Sequence, residues 1–141
     1  MGSQKQFDKL GWDETYSSGL VYLDNHRRNF IDIVNELIEV VNEERYESSL
    51  TMIFQRLAFY VENYFVNKEI AMMGNSNLPL QSYKQEHARF TSEIVRLHQE
   101  ILEGNLEACR ELVEFILSWF KNYIRLFGPD AVEYLRQKGF E

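Results

Sequence analysis

The chain has 141 residues, 45% hydrophobic and 26% charged, enough for one domain-sized core and too apolar for a disordered chain. Fifteen lysines and arginines against twenty-two aspartates and glutamates leave a net charge of -7, a field that repels phosphate backbones and anionic lipid, so neither nucleic acid nor a membrane surface is expected as a partner. The single cysteine, Cys109, rules out an internal disulfide and a thiolate-held metal, and no run reaches the length of a membrane span. With no signal-like opening run, the expected location is the cytoplasm.

In chain order, residues 1 to 16 read as an arm, and residues 17 to 141 as a single helical domain. Leu20, Leu23, Phe30, Ile33, Val34, Leu37 and Val41 have the spacing of one helix face. Leu50, Ile53, Phe54, Leu57, Val61, Phe65 and Met72 repeat it after a polar link at Asn42 to Glu47. A third run, Leu80, Phe90, Ile94, Leu97 and Ile101, follows Gly74 to Pro79. The fourth, from Leu106 through Leu112, Ile116 and Phe120 to Phe127, follows Glu103-Gly104-Asn105. Short links join antiparallel neighbours, so the expected fold is all-α, an up-down-up-down four-helix bundle. Gly128-Pro129-Asp130 closes the fourth helix, and a short C-terminal helix is expected over Ala131 to Lys138.

Certain residues on these stripes are polar. His26 lies between Leu23 and Phe30, Tyr64 and Lys68 follow Val61, Tyr83 and His87 precede Phe90, and Tyr123 follows Phe120. Residues 26 and 64 are equidistant from the first link, 64 and 87 from the second, and 87 and 123 from the third. His26, Tyr64, His87 and Tyr123 are therefore expected at one level of the bundle interior, with Lys68 and Tyr83 one turn away. Polar layers of this kind are where helical bundles build metal and cofactor sites.

Trp12, Tyr16-Ser17-Ser18-Gly19, Leu23-Asp24-Asn25-His26-Arg27, Asn35 and Leu37 resemble the opening of the bacterial hemerythrins. The resemblance runs on through Met72-Met73, Leu78-Pro79, Glu86-His87, Phe90 and Trp119. It implies a four-helix bundle around a non-haem di-iron centre that binds dioxygen, held by five histidines and two bridging carboxylates. The family's motifs are one histidine on the first helix, His-x3-Glu on the second, His-x3-His on the third and His-x4-Asp on the fourth. Here His26 and His87 keep the family's residue. Tyr64, Tyr83 and Tyr123 stand at histidine positions, and Lys68 and Gly128 at the two carboxylate positions.

Without bridging carboxylates, two cations lose what holds them together and neutralises their charge, and the Lys68 ammonium opposes a cation further. The expectation is a hemerythrin-like bundle without the di-iron centre, needing no cofactor and acting as an interaction or scaffold module for an unidentified protein partner; self-association is left open. The alternative is an iron- or oxygen-responsive protein in which His26, Tyr64, Tyr83, His87 and Tyr123 ligate a metal, since phenolates suit ferric iron. A small-molecule sensor using the same interior is a third reading, opposed by the bulk of three tyrosines. No nucleophile–base spacing and no glycine-rich phosphate loop points to an enzyme.

Overall fold

The computed structural model describes residues 6–60, 63, 80–126 and 128–140, save the side chains of 47–49. One 3-10 turn, Glu14–Tyr16, precedes α1 (Val21–Asn42), α2 (Tyr46–Tyr60), α3 (Leu80–Leu102), α4 (Glu107–Leu126) and α5 (Pro129–Gln137). The expected continuation of the second helix to Met72 lies outside the described residues. No strand occurs among the described residues, and no helix there is long and apolar enough to cross a membrane.

Contacts run α1 to α2, α2 to α3, α3 to α4 and α4 back to α1, closing a ring of four helices. Ring contacts fix the directions. Phe54 stacks on His98 at 4.2 Å, while Tyr60 and Phe90, further along α2 and earlier on α3, both meet Phe30. Rising numbers on α2 thus match falling numbers on α3, and the expected up-down-up-down bundle is what forms.

Phe30 sits where the four helices converge. Its ring lies 5.0 Å from Tyr60, 6.1 Å from Phe90, 6.0 Å from Trp119 and 5.1 Å from Phe120. Each such buried aromatic contributes roughly 1.5–3 kcal/mol through the area it removes from water. The stripe that places it is strict: Leu20, Leu23, Arg27, Phe30, Val34, Leu37 and Val41 follow alternating steps of three and four, and all are buried.

Three helices end in the same device. After α3, the Asn105 N–H donates to the Glu100 carbonyl and the Gly104 N–H to that of Ile101, with Gly104 at φ 96°. Gly139 does the same after α5, and Glu44 after α1, where a non-glycine residue holds the left-handed conformation at φ 54°.

The arm is tied down along α1. Asn35 and Asn42, seven residues apart, each grip its backbone twice. Asn35 accepts from the Leu10 N–H at 2.7 Å and donates to the Leu10 carbonyl at 2.9 Å. Asn42 makes the same pair with Phe7, at 2.9 and 2.8 Å. The arm also contains an element the sequence did not suggest, the turn at Glu14–Tyr16, because Asp13 caps it by accepting from the Thr15 N–H and hydroxyl. Trp12 packs edge-on against Tyr16, under the Arg28 guanidinium, and Tyr16 packs on Phe120, so the arm reaches the core.

Candidate functional site

The described positions that the hemerythrin resemblance marks, His26, Tyr83, His87, Tyr123 and Gly128, are distributed over the end of the bundle nearest the start of α1. Tyr64 and Lys68 lie outside the described residues. Tyr83 and Tyr123 are buried, whereas His26 and His87 are half-buried. Levels on α3 and α4 follow the link between them: Tyr83 reaches Leu126 and Phe90 meets Trp119, so His87 and Tyr123 stand between these pairs at a common height.

Each of these groups is set by its neighbours. The Tyr83 hydroxyl donates to the Leu126 carbonyl at 3.4 Å. Burial, with the charge of Asp130 adding to it, pushes its pKa up to about 12, so the phenol is held protonated. Tyr123 stacks on Trp119 at 4.7 Å, and the Trp119 indole N–H donates to the Glu86 carbonyl at 3.2 Å, one residue before His87. His26 does not lie on the strict stripe of α1 but beside it, in the row of Ile33 and Val40. Its ring meets Tyr22 at 4.7 Å and Tyr60 at 6.5 Å. It also lines a groove of about 440 Å³ between α1 and α2, with Ile33, Tyr60 and the exposed Met52 and Phe59.

Gly128, at one lost carboxylate position, is the N-terminal cap residue of α5 and offers no side chain. Among the described residues no three histidines, cysteines, aspartates or glutamates gather as a metal site would require. Cys109 is fully buried in α4, and burial, together with the nearby Glu107 charge, pushes its thiol up to about 11, which keeps it unreactive. His98 is half-buried against Phe54.

A second locus lies where the arm, α1, the end of α4 and α5 meet. It is a cleft of about 1090 Å³, and Arg27 lines it while being only 5% exposed. One Arg27 N–H donates to the Tyr16 carbonyl at 2.6 Å. Asp24, one turn earlier, is spent on the approach to α1: it accepts from the Ser17 hydroxyl at 2.9 Å and from the Ser18 N–H and hydroxyl at 2.7 Å each. Lys121, Arg125 and Arg136 line the cleft as well.

Sequence reasoning singled out none of these cations. The signal was present, because Arg27 falls on the strict stripe between Leu23 and Phe30, where any charged residue must enter the interior. Tyr60, which links His26 to Phe30, was missed for the opposite reason: it lies one residue before Val61, which carried the stripe in the sequence pattern.

No family model matches the chain, and no solved structure matches it. A relative is found among characterised proteins, the Bacteriohemerythrin of Clostridium acetobutylicum, 24% identical over 118 residues that cover 80% of this chain and 91% of the relative. This weak but extended similarity and the four-helix bundle together support a hemerythrin-like family.

Proposed function

We propose that this chain is a divergent hemerythrin-like bundle that has given up the di-iron oxygen-binding centre and works as a protein-interaction or scaffold module in the cytoplasm, binding rather than catalysing. The observation that carries the loss is Tyr83. At a position where the family places a ligating histidine, its hydroxyl is turned to the Leu126 carbonyl as a hydrogen-bond donor. A metal ligand must present a lone pair from the deprotonated phenol, and burial opposes that ionisation.

The donor set as a whole fits a di-iron centre poorly. Gly128 has no side chain to bridge two metals, and Lys68 replaces the other bridging carboxylate. The interaction role draws support from α2, whose Met52 and Phe59 are exposed seven residues apart on one face beside the α1–α2 groove. The partner class is protein, since the -7 charge disfavours nucleic acid and anionic lipid.

Elemental analysis of protein purified from iron-replete cells, with its visible spectrum, tests the reading. The expected result is less than about one-tenth of an iron per chain and a colourless protein, since ferric phenolates absorb strongly. Stoichiometric iron with a phenolate band would replace this reading by an altered, tyrosine- and histidine-ligated iron protein.

A further inference from the structure

We propose that the cleft between the arm and the α4–α5 corner is a binding site for a small organic anion, bearing a carboxylate or a phosphate, that Arg27 recognises. The inference goes beyond the interaction reading and does not depend on whether iron is bound.

A guanidinium has five N–H donors and, once buried, needs them satisfied and its charge offset. Arg27 is 95% withdrawn from solvent, yet its one hydrogen bond is to the Tyr16 carbonyl, and it forms no salt bridge with any described residue. The Asp24 carboxylate offsets its charge through space but, bonded to Ser17 and Ser18, takes none of its N–H groups. A buried arginine with donors left over, lining a cleft, is half of a bidentate clamp. The missing half is a planar or tetrahedral oxyanion.

The surroundings agree. Arg136 is taken up by Glu133, and Asp13 by Thr15. Of the charged residues lining the cleft, Arg27, Lys121, Arg125 and Arg136 stand against Asp13, Asp130 and Glu133, an excess of one positive charge. Neither Lys121 nor Arg125 has an ion pair among the described residues. In a chain of net charge -7, a lining with one positive charge in excess is opposite in sign to the chain as a whole. The N-terminus of α5 lines the same space; its first residue, Pro129, has no N–H, and its cap residue, Gly128, supplies no side-chain acceptor to the N–H groups that follow. A nine-residue helix end alone would identify nothing; beside an under-bonded buried arginine it adds the positive end of a helix dipole.

The volume suits a ligand larger than a single inorganic ion. Part of the wall comes from the arm, since Asp13, Thr15, Tyr16, Ser17 and Ser18 line it, so binding there also braces the arm against α1.

Amide spectra of the full chain, titrated at constant ionic strength with pyrophosphate and separately with citrate, test this. Shifts confined to residues 15–18, 27, 124–126, 128 and 130–133 are expected with at least one probe, and which one binds separates phosphate from carboxylate chemistry. Lys121→Gln/Arg125→Gln, which removes two exposed cations without disturbing packing, is expected to weaken binding about 10-fold. Arg27→Gln is expected to abolish it; if that variant fails to fold, the double variant decides. The proposal is overturned if neither probe shifts these amides, if chloride at equal ionic strength gives the same shifts, or if the double variant binds as tightly as the unaltered chain.

Discussion

The Tyr83 hydroxyl of α3 donates across 3.4 Å to the carbonyl of Leu126, the last residue of α4. A helix leaves its final carbonyls without intrahelical partners, so a buried helix end must find donors elsewhere. Tyr83 provides one from the neighbouring helix. The Trp119 indole returns the favour nearer the middle, donating from α4 to the Glu86 carbonyl of α3 at 3.2 Å. Two aromatic side chains thus stitch α3 and α4 at the level where the family resemblance puts metal ligands.

Tyr83→Phe keeps the ring and removes the donor. A long neutral hydrogen bond contributes at the low end of the usual range, so a loss of about 0.5–1 kcal/mol is expected in chemical denaturation at pH 7. The pH dependence is more specific. With the phenol pushed from 10.0 to about 12 in the folded state, the unfolded chain releases this proton first as pH rises. Its contribution is whole below pH 10 and is lost as pH climbs toward about 12. The variant should therefore lose stability less steeply than the parent chain over that window; parallel curves would show that Tyr83 is not held neutral by the fold.

The bundle was legible in the sequence because each helix carries a long apolar stripe broken by few residues, and because Gly104 and the Glu43-Glu44-Arg45 stretch sit where stripes stop. Equal spacing from a link also predicts level partners well, as the Tyr83–Leu126 and Phe90–Trp119 pairs show. Depth was harder to read. His26 and His87 were expected in the interior and are half-buried, since a stripe gives direction to within a residue or so while exposure depends on how far the facing side chains reach. The cleft was not legible at all. Arg27 is far in sequence from Lys121 and Arg125, which sit one turn apart on α4, and only the packing of α1, the arm and the corner at Gly128 brings them to one cleft. The arm's attachment was equally hidden, because an asparagine that grips a remote backbone has no spacing signature.

Glu44 offers a stabilising change. It holds φ 54° so that Arg45 and Glu44 can donate to the Val40 and Val41 carbonyls. A side chain there pays a steric cost that glycine avoids, as Gly104 and Gly139 do after their helices. Glu44→Gly should raise stability by about 0.5–1 kcal/mol once glycine's extra unfolded-state freedom is subtracted. Gly104→Ala should do the reverse, although a methyl there meets nothing within 4 Å, because its φ of 96° is the whole obstacle. Thermal melts of both variants check the pair, and an unchanged midpoint in each would remove the strain argument.

Asp24 joins the arm to the bundle, and its ionisation should be readable in the acid limb of stability. Partial burial pushes its pKa up, but the hydrogen bonds from Ser18 and Ser17, helped by the Arg27 charge, more than offset this and hold the carboxyl below its ordinary 3.8. A depressed folded-state value means that the unfolded chain takes up the proton first as pH falls. The stabilisation is complete well above the unfolded value and disappears as pH drops through the folded one. Asp24→Asn keeps one acceptor oxygen and loses the charge, so a cost of about 1–2 kcal/mol is expected at pH 7, where charge-assisted bonds are at full strength. As pH falls below the unfolded value of 3.8 the parent progressively loses this contribution, and the difference between the two proteins should shrink. Urea unfolding at a series of pH values measures that difference directly. A gap that stays constant from pH 7 to pH 3 would mean that Asp24 holds Ser17 and Ser18 by shape alone, and that its negative charge neither anchors the arm nor balances Arg27.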